Sequence, residues 1–315
     1  MQNACRCDTI TATAREEDGL TRARKDVYQA QGGHMQADYH LHTNYSEDST
    51  YPMEDAVKEA IALGYEEICF TDHVDYGVMD DADSGKPPKY ADGHLRGNVD
   101  YPRYFEEIAR LKEKYKDKIR IRQGLELGVQ CCTLEENRAL VEKWPMDFVI
   151  LSIHQIDNLE FWDGGFQRGK SQRELNRGYY EELLRVVRAY KHYSVLGHLD
   201  LIRRYDPYGD YPFEEVQDLV EEILKQVIAD KKGIEINTSS KRYKISGSTP
   251  DEKILKLYHD LGGTIITIGS DSHCKSHLDD APGLQVIARE QLKKAGFTHH
   301  CTFENGKPIF HPLES

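Results

Sequence analysis

The chain has 315 residues, 39% of them hydrophobic and 30% charged, with a net charge of −13. That composition excludes a disordered chain, and no apolar run approaches the ~18 residues that a membrane span needs. The negative charge excludes a broad grip on long nucleic acid or on an anionic membrane, but leaves room for a local basic pocket that holds one phosphate.

Residues 1–34 are rich in Arg, Thr, Asp and Glu and poor in large apolar side chains. They read as an extension outside the core, so the folded unit is expected over residues 35–315. From residue 36 onward, apolar runs of strand length alternate with helix-period segments. The predicted strands are 39–41, 68–71, 119–127, 148–153, 194–196, 234–236 and 264–268. The predicted helices are 53–63, 103–116, 133–143, 172–191, 213–231, 251–261 and 283–295. Pro52, Pro212 and Pro250 stand ahead of helical patterns, as start signals do, and Gly64, Gly233 and Gly262 follow them, as C-terminal caps do. The βα repetition implies a mostly parallel sheet with helices as crossovers, and the length suits one α/β barrel. The polar stretch 75–100 is expected to be a surface loop over one end of the sheet, a possible lid. The seven cysteines show no repeated paired spacing and read as reduced thiols. With no apolar leader segment in the first thirty residues, the expectation is a cytoplasmic protein.

Residues able to bind metal gather where predicted strands end. They are His40, His42 and Asp48 after the first strand, His73 after the second and Glu126 on the third. His154 follows the fourth, His198 the fifth, and Asp271 and His273 the seventh. Residues at i and i+2 of a strand share a face, so His40 and His42 can enter one cavity together, as can Asp271 and His273. A closed parallel barrel brings the C-terminal ends of its strands to one rim, where barrel enzymes carry their sites. Six imidazoles and three carboxylates are too many for one ion and suit two or three divalent ions of zinc, iron or manganese. Clustered ions lower the pKa of bound water and stabilise charge on a phosphoryl group. Two cationic pairs also follow strand ends, Arg203 with Arg204 and Lys241 with Arg242, and an arginine fork matches a phosphate bidentately. Of these, Arg203 is the preferred phosphate partner. Asp200 is a candidate to orient His198.

The ordered stretches Asp38-Tyr39-His40-Leu41-His42-Thr43, Phe70-Thr71-Asp72-His73, Gly124-Leu125-Glu126, Ser152-Ile153-His154, Gly197-His198-Leu199-Asp200, Glu235-Ile236-Asn237-Thr238 and Gly269-Ser270-Asp271-Ser272-His273 resemble the PHP (polymerase and histidinol phosphatase) superfamily. Within it the resemblance is to the monofunctional histidinol-phosphatase branch, over residues 36–310. It implies a distorted (β/α)7 TIM-like barrel with a trinuclear metal centre at the C-terminal rim. His40, His42, Glu126 and Asp271 would hold one ion. Glu126 would bridge to a second, held also by His154 and by His198 or a neighbouring group, and Asp48, His73 and His273 would hold the third. Some members carry His where this chain has Asp48. The resemblance further implies hydrolysis of L-histidinol phosphate, a small phosphorylated substrate, to L-histidinol and phosphate in histidine biosynthesis. Arg203 would neutralise the phosphoryl group, and Asp271, or a water relayed through His198, would protonate the leaving alkoxide. Acidic residues in 75–92 would meet the substrate's amino group. Two other readings stand beside this one. One is a PHP phosphoesterase for another phosphomonoester, a nucleotide or a short oligonucleotide. The other is a metal-binding module without catalysis.

Overall fold

The computed structural model describes residues 35–81, 89–91 and 94–313. The expected extension 1–34 and the middle of the expected lid lie outside the described residues. Among the described residues, seven parallel strands pair in chain order: β1 (Ala37–Leu41), β2 (Glu67–Phe70), β3 (Arg120–Gly128), β4 (Phe148–Ser152), β5 (Val195–Leu196), β6 (Gly233–Asn237) and β7 (Ile266–Gly269). The last strand returns to the first. The His42 amide donates to the Ser272 carbonyl at 2.9 Å, and the Asp271 amide donates to the His40 carbonyl at 2.8 Å. The sheet is therefore a nearly closed (β/α)7 barrel.

The crossovers are α1 (Met53–Leu63), α2 (Tyr101–Tyr115), α3 (Leu134–Lys143), α4 (Gln172–Ala189), α5 (Gln217–Ala229), α6 (Glu252–Asp260) and α7 (Lys275–Ala295). Their apolar faces follow from spacing. In α1 the buried residues are Met53, Ala56, Val57, Ala60 and Leu63, one stripe at three- and four-residue steps. Helix α4 starts on a capping box: Ser171 accepts from the Glu174 amide while Glu174 reaches back to the Ser171 amide. None of the helices among the described residues is long and apolar enough to cross a membrane.

Three expectations change. The predicted helix 213–231 divides into a short 3-10 turn at Phe213–Glu215 and α5. Gly233 is the first residue of β6, not a helix cap. Helix α7 begins eight residues before 283, because Leu278 and Ala281 bury an apolar turn ahead of Pro282. A further element was not expected, the antiparallel hairpin β8 (His299–Glu304) and β9 (Lys307–Pro312). Asn305 and Gly306 form its two-residue turn with φ of 50° and 72°, the left-handed pair that such tight hairpins use. Cys301 and Phe303 from β8 join Ala37, Tyr39, Cys69, Phe148, Ile150 and Val195 in an inner apolar cluster. The register of β1 against β2 shifts between Asp38 and Leu41. Tyr39 thus serves the inner cluster and Leu41 the outer core under the helices, with His40 and His42 on either side of Leu41.

Candidate metal centre

All nine expected ligands converge. Glu126, fully buried near the end of β3, stands at the middle, and its two oxygens face different imidazoles. Oε2 lies 3.1 Å from His40 Nε2, 3.4 Å from His42 Nε2 and 3.1 Å from His73 Nδ1. Oε1 lies 2.8 Å from His198 Nε2 and 3.3 Å from His154 Nε2. Asp271 Oδ1 is 3.5 Å from His42 Nε2 and 3.7 Å from His40 Nε2. Asp48 stands at the exposed mouth, with Oδ2 3.0 Å from His273 Nε2 and 3.7 Å from His73 Nε2. The His42 ring is stacked between the rings of His73 and His273, each 4.1 Å away between centroids.

The electrostatics are those of a cation site. Burial would push the Glu126 carboxyl up, but His40, His154, His73 and His198 outweigh it and hold it well below its ordinary value. Asp271 is likewise held low, against burial, by His40 and Arg204. For His40, burial is overridden by Glu235, Glu126 and Asp271, which raise its pKa well above the ordinary value. His73 is raised to about 9 in the same way, by Asp48 and Glu126. His42 goes the other way: burial, then the neighbouring His273 and His73, keep it neutral.

The residues fit divalent metal. Buried His42 Nε2, His73 Nδ1 and His198 Nδ1 make no hydrogen bond, although buried polar atoms are normally paired. Ligand atoms fall into compact overlapping groups: His40, His42 and Glu126; His40, His198 and Asp271; His73, Glu126 and His154; and His42, His73 and His273. Imidazole and carboxylate donors in such groups suit zinc, iron or manganese. Asp271 is held in the left-handed region at φ 56°, a conformation that aspartate tolerates better than most residues. Its carbonyl accepts from Arg242 Nη2 at 2.7 Å and from His273 Nδ1 at 2.9 Å, which fixes the loop that carries both ligands.

A model of the PHP domain family matches residues 38–239. The chain is 37% identical to the histidinol-phosphatase of Lactococcus lactis over 280 residues, 86% of this chain and 95% of that protein. The chain belongs to the PHP domain family. It is also 31% identical to a probable histidinol-phosphatase of Clostridium acetobutylicum, over 88% of this chain and 96% of that one. A crystal structure of the Lactococcus lactis histidinol phosphate phosphatase, complexed with zinc, L-histidinol and phosphate, superposes with a TM-score of 0.73 at 34% identity. It covers 87% of this chain and 99% of that one.

The four cationic candidates of this PHP chain separate. Arg203 faces away from the ligands. Its guanidinium donates to buried Asp200 Oδ2 at 2.9 Å and to the carbonyls of Ser248 and Ser246 at 3.1 and 2.8 Å. Arg204, the next residue, points into the cluster. Its Nη2 donates to Asp271 Oδ2 at 3.0 Å and Ser239 Oγ at 2.6 Å, and its guanidinium lies 4.3 Å above the Tyr243 ring. Arg203, the preferred phosphate partner, is thus committed to Asp200, and Arg204 is the member of the pair that faces the cluster. Arg242 holds the Ser270 and Asp271 carbonyls, and Lys241 is exposed. Asp200 does not orient His198, because its carboxylate serves Arg203 and the Asp251 amide. Asp75, one of the acidic residues expected to meet an amino group, is instead committed to His154 Nδ1 at 2.8 Å.

Two further carboxylates contact the cluster and were not expected to do so from the sequence. They are Asp75, two residues beyond His73, and Glu235, 2.6 Å from His40 Nδ1. Alternation offered a signal for Asp75, which shares a face with His73, and none for Glu235, whose partner His40 lies on another strand.

Proposed function

We propose that the protein is a histidinol-phosphatase, a metal-dependent phosphomonoesterase that hydrolyses L-histidinol phosphate to L-histidinol and phosphate. The observation that carries this reading is the split of Glu126, one oxygen toward His40, His42 and His73 and the other toward His198 and His154. A carboxylate so placed would suit a bridge between two ions. The names of the relatives and the zinc, histidinol and phosphate of the Lactococcus lactis complex support the substrate.

His40, His42, Glu126 and Asp271 would hold one ion, His154 and His198 with Glu126 a second, and His73, His273 and Asp48 a third. Bound divalent ions supply an activated water and offset phosphoryl charge. The chain supplies the rest. Arg204 keeps its Nε buried and without a hydrogen bond, a charged donor that a phosphoryl oxygen can satisfy. Arg242 keeps Nη1 in the same condition. Asp271, surrounded by His40, Arg204 and His273, stays a carboxylate, which suits a ligand and not a proton donor. His198 has Nε2 turned to Glu126, as a ligand of the second ion would, and keeps Nδ1 buried. The described cysteines, Cys69, Cys131, Cys132, Cys274 and Cys301, are free thiols, which supports a cytoplasmic enzyme.

The test is phosphate release from a panel of phosphomonoesters and phosphodiesters, with zinc, manganese and iron supplied separately. L-Histidinol phosphate should be the fastest substrate, and chelation should abolish turnover. Faster turnover of a nucleotide or a diester would reassign the substrate.

A further inference from the structure

Two carboxylates outside the ligand set stand behind two of its imidazoles in the same way. Glu235 Oε1 lies 2.6 Å from His40 Nδ1, and Asp75 Oδ1 lies 2.8 Å from His154 Nδ1. An ionised carboxylate only accepts, so each Nδ1 is the donor. The proton is thereby fixed on Nδ1, and each ring turns Nε2 to Glu126, at 3.1 Å for His40 and 3.3 Å for His154. The second oxygen of Glu235 accepts from the His198 amide at 2.9 Å and from Asn237 Nδ2 at 3.2 Å. One carboxylate thus aims His40 and anchors the backbone that carries His198.

Both pairs are built over a glycine. A Cβ at Gly269 would stand 2.0 Å from Glu235 Oε1 and 2.5 Å from His40 Cβ. A Cβ at Gly128 would stand 1.8 Å from Asp75 Oδ1 and 3.1 Å from His154 Nδ1. Any side chain at either position would push a carboxylate off its imidazole. The other imidazoles are supported differently. His273 donates Nδ1 to a carbonyl, His42 Nδ1 meets the Ser46 hydroxyl, His198 Nδ1 has no partner, and His73 Nδ1 faces Glu126 at 3.1 Å with Asp75 farther off at 3.9 Å.

We propose that Glu235 and Asp75 are positioning residues that fix His40 and His154 as Nε2 metal ligands, with Gly269 and Gly128 as the openings that admit them. The inference rests on the metal-dependent reading above. A carboxylate behind a ligating imidazole fixes its tautomer and raises its basicity, and loss of such a partner costs metal affinity.

The experiment measures zinc affinity by competition with a chromophoric chelator, the cobalt(II) absorption spectrum, and the thermal midpoint of the metal-free protein. The proteins are wild type, Glu235→Ala, Asp75→Ala, Asp75→Asn and Gly128→Ala. Glu235→Ala and Asp75→Ala should each weaken zinc binding by about 10–100-fold and shift the cobalt bands. Asp75→Asn keeps an oxygen that accepts from His154 Nδ1 and should recover much of the loss. Gly128→Ala retains both the Asp75 and His154 side chains but forces them apart, and should reproduce Asp75→Ala. It also carries the test if Glu235→Ala does not fold. Folded variants that bind zinc within twofold of wild type, with unchanged cobalt spectra, would overturn the positioning role while leaving the phosphatase reading intact. A wild type that binds no divalent ion would overturn both.

Discussion

Adjacent arginines with opposite duties give the sharpest test of the site. Arg203 pairs with Asp200, whose side chain is fully buried, and satisfies two backbone carbonyls. Arg203→Ala would leave a buried carboxylate without its cation. Breaking such a pair costs about 3–5 kcal/mol of stability, a fall in Tm of about 5–8 °C for a chain of this size. Nothing on Arg203 touches a ligand, so kcat/KM per folded enzyme should stay within about twofold. Arg204→Ala removes the guanidinium that faces Asp271 and keeps an unsatisfied Nε. A lost hydrogen bond to a charged group is worth about 1.5–3 kcal/mol, which converts to about 10–150-fold in kcat/KM. Because arginine is not a ligand, bound metal should be retained. The loss should be larger on histidinol phosphate than on a diester probe, which offers one fewer free phosphoryl oxygen. The assay is phosphate release at a temperature well below the lower Tm, with active protein quantified by metal content. If Arg203→Ala lost as much kcat/KM as Arg204→Ala, or if Arg204→Ala stayed within threefold of wild type, the assignment from geometry would be wrong.

Other outcomes follow from the same structure. His40→Ala and Asp271→Ala should lose bound metal and turnover together, as read by elemental analysis and phosphate release, and chelator-treated wild type should recover on adding divalent ion. Phe303→Ala, which empties a buried ring packed 5.0 Å from Phe148 between centroids, should cost about 3–5 kcal/mol in denaturant unfolding yet leave KM unchanged. Glu54 ties α1 to α2 through Lys114, Arg110 and the Tyr115 hydroxyl, which hold its carboxyl down at about 2. A depressed folded-state pKa stabilises above the unfolded value and loses that contribution as pH falls toward the folded one. The stability advantage of wild type over Glu54→Gln should therefore be full at neutral pH and shrink from about pH 4.5 down to about pH 2. The salt-screened, solvent-exposed setting keeps it modest, and 1 M salt should reduce it further, as urea midpoints would show.

The barrel was legible because most strands are short and apolar and each is followed by a helical pattern. Where the reading failed, the deciding contact lay far away in sequence. The α7 start depended on whether Leu278 and Ala281 would be buried ahead of Pro282, and a start signal read locally placed it too late. The hairpin β8–β9 had a local signal in Asn305-Gly306, but its reason for existing is non-local: Phe303 packs against Tyr39 and Phe148.

The site divides along the same line. Metal-type residues announce themselves, because histidines and carboxylates at the end of strand after strand have few other uses. Their supporting residues do not. Nothing in a single sequence says that Glu235 should meet an imidazole 195 positions earlier, at a place where Gly269 lets the carboxylate in. The two arginines show the limit most clearly. Arg203 and Arg204 lie on one 3-10 turn, Leu201–Arg204, where successive side chains diverge by about 120°. One residue's difference in position decides whether a guanidinium enters the ligand cluster or reaches Asp200. Asp200 holds the Arg203 guanidinium and accepts from the Asp251 amide at the start of α6, so the first of the two arginines is tied away from the cluster. Charge and spacing select the pair, but only the fold selects the member.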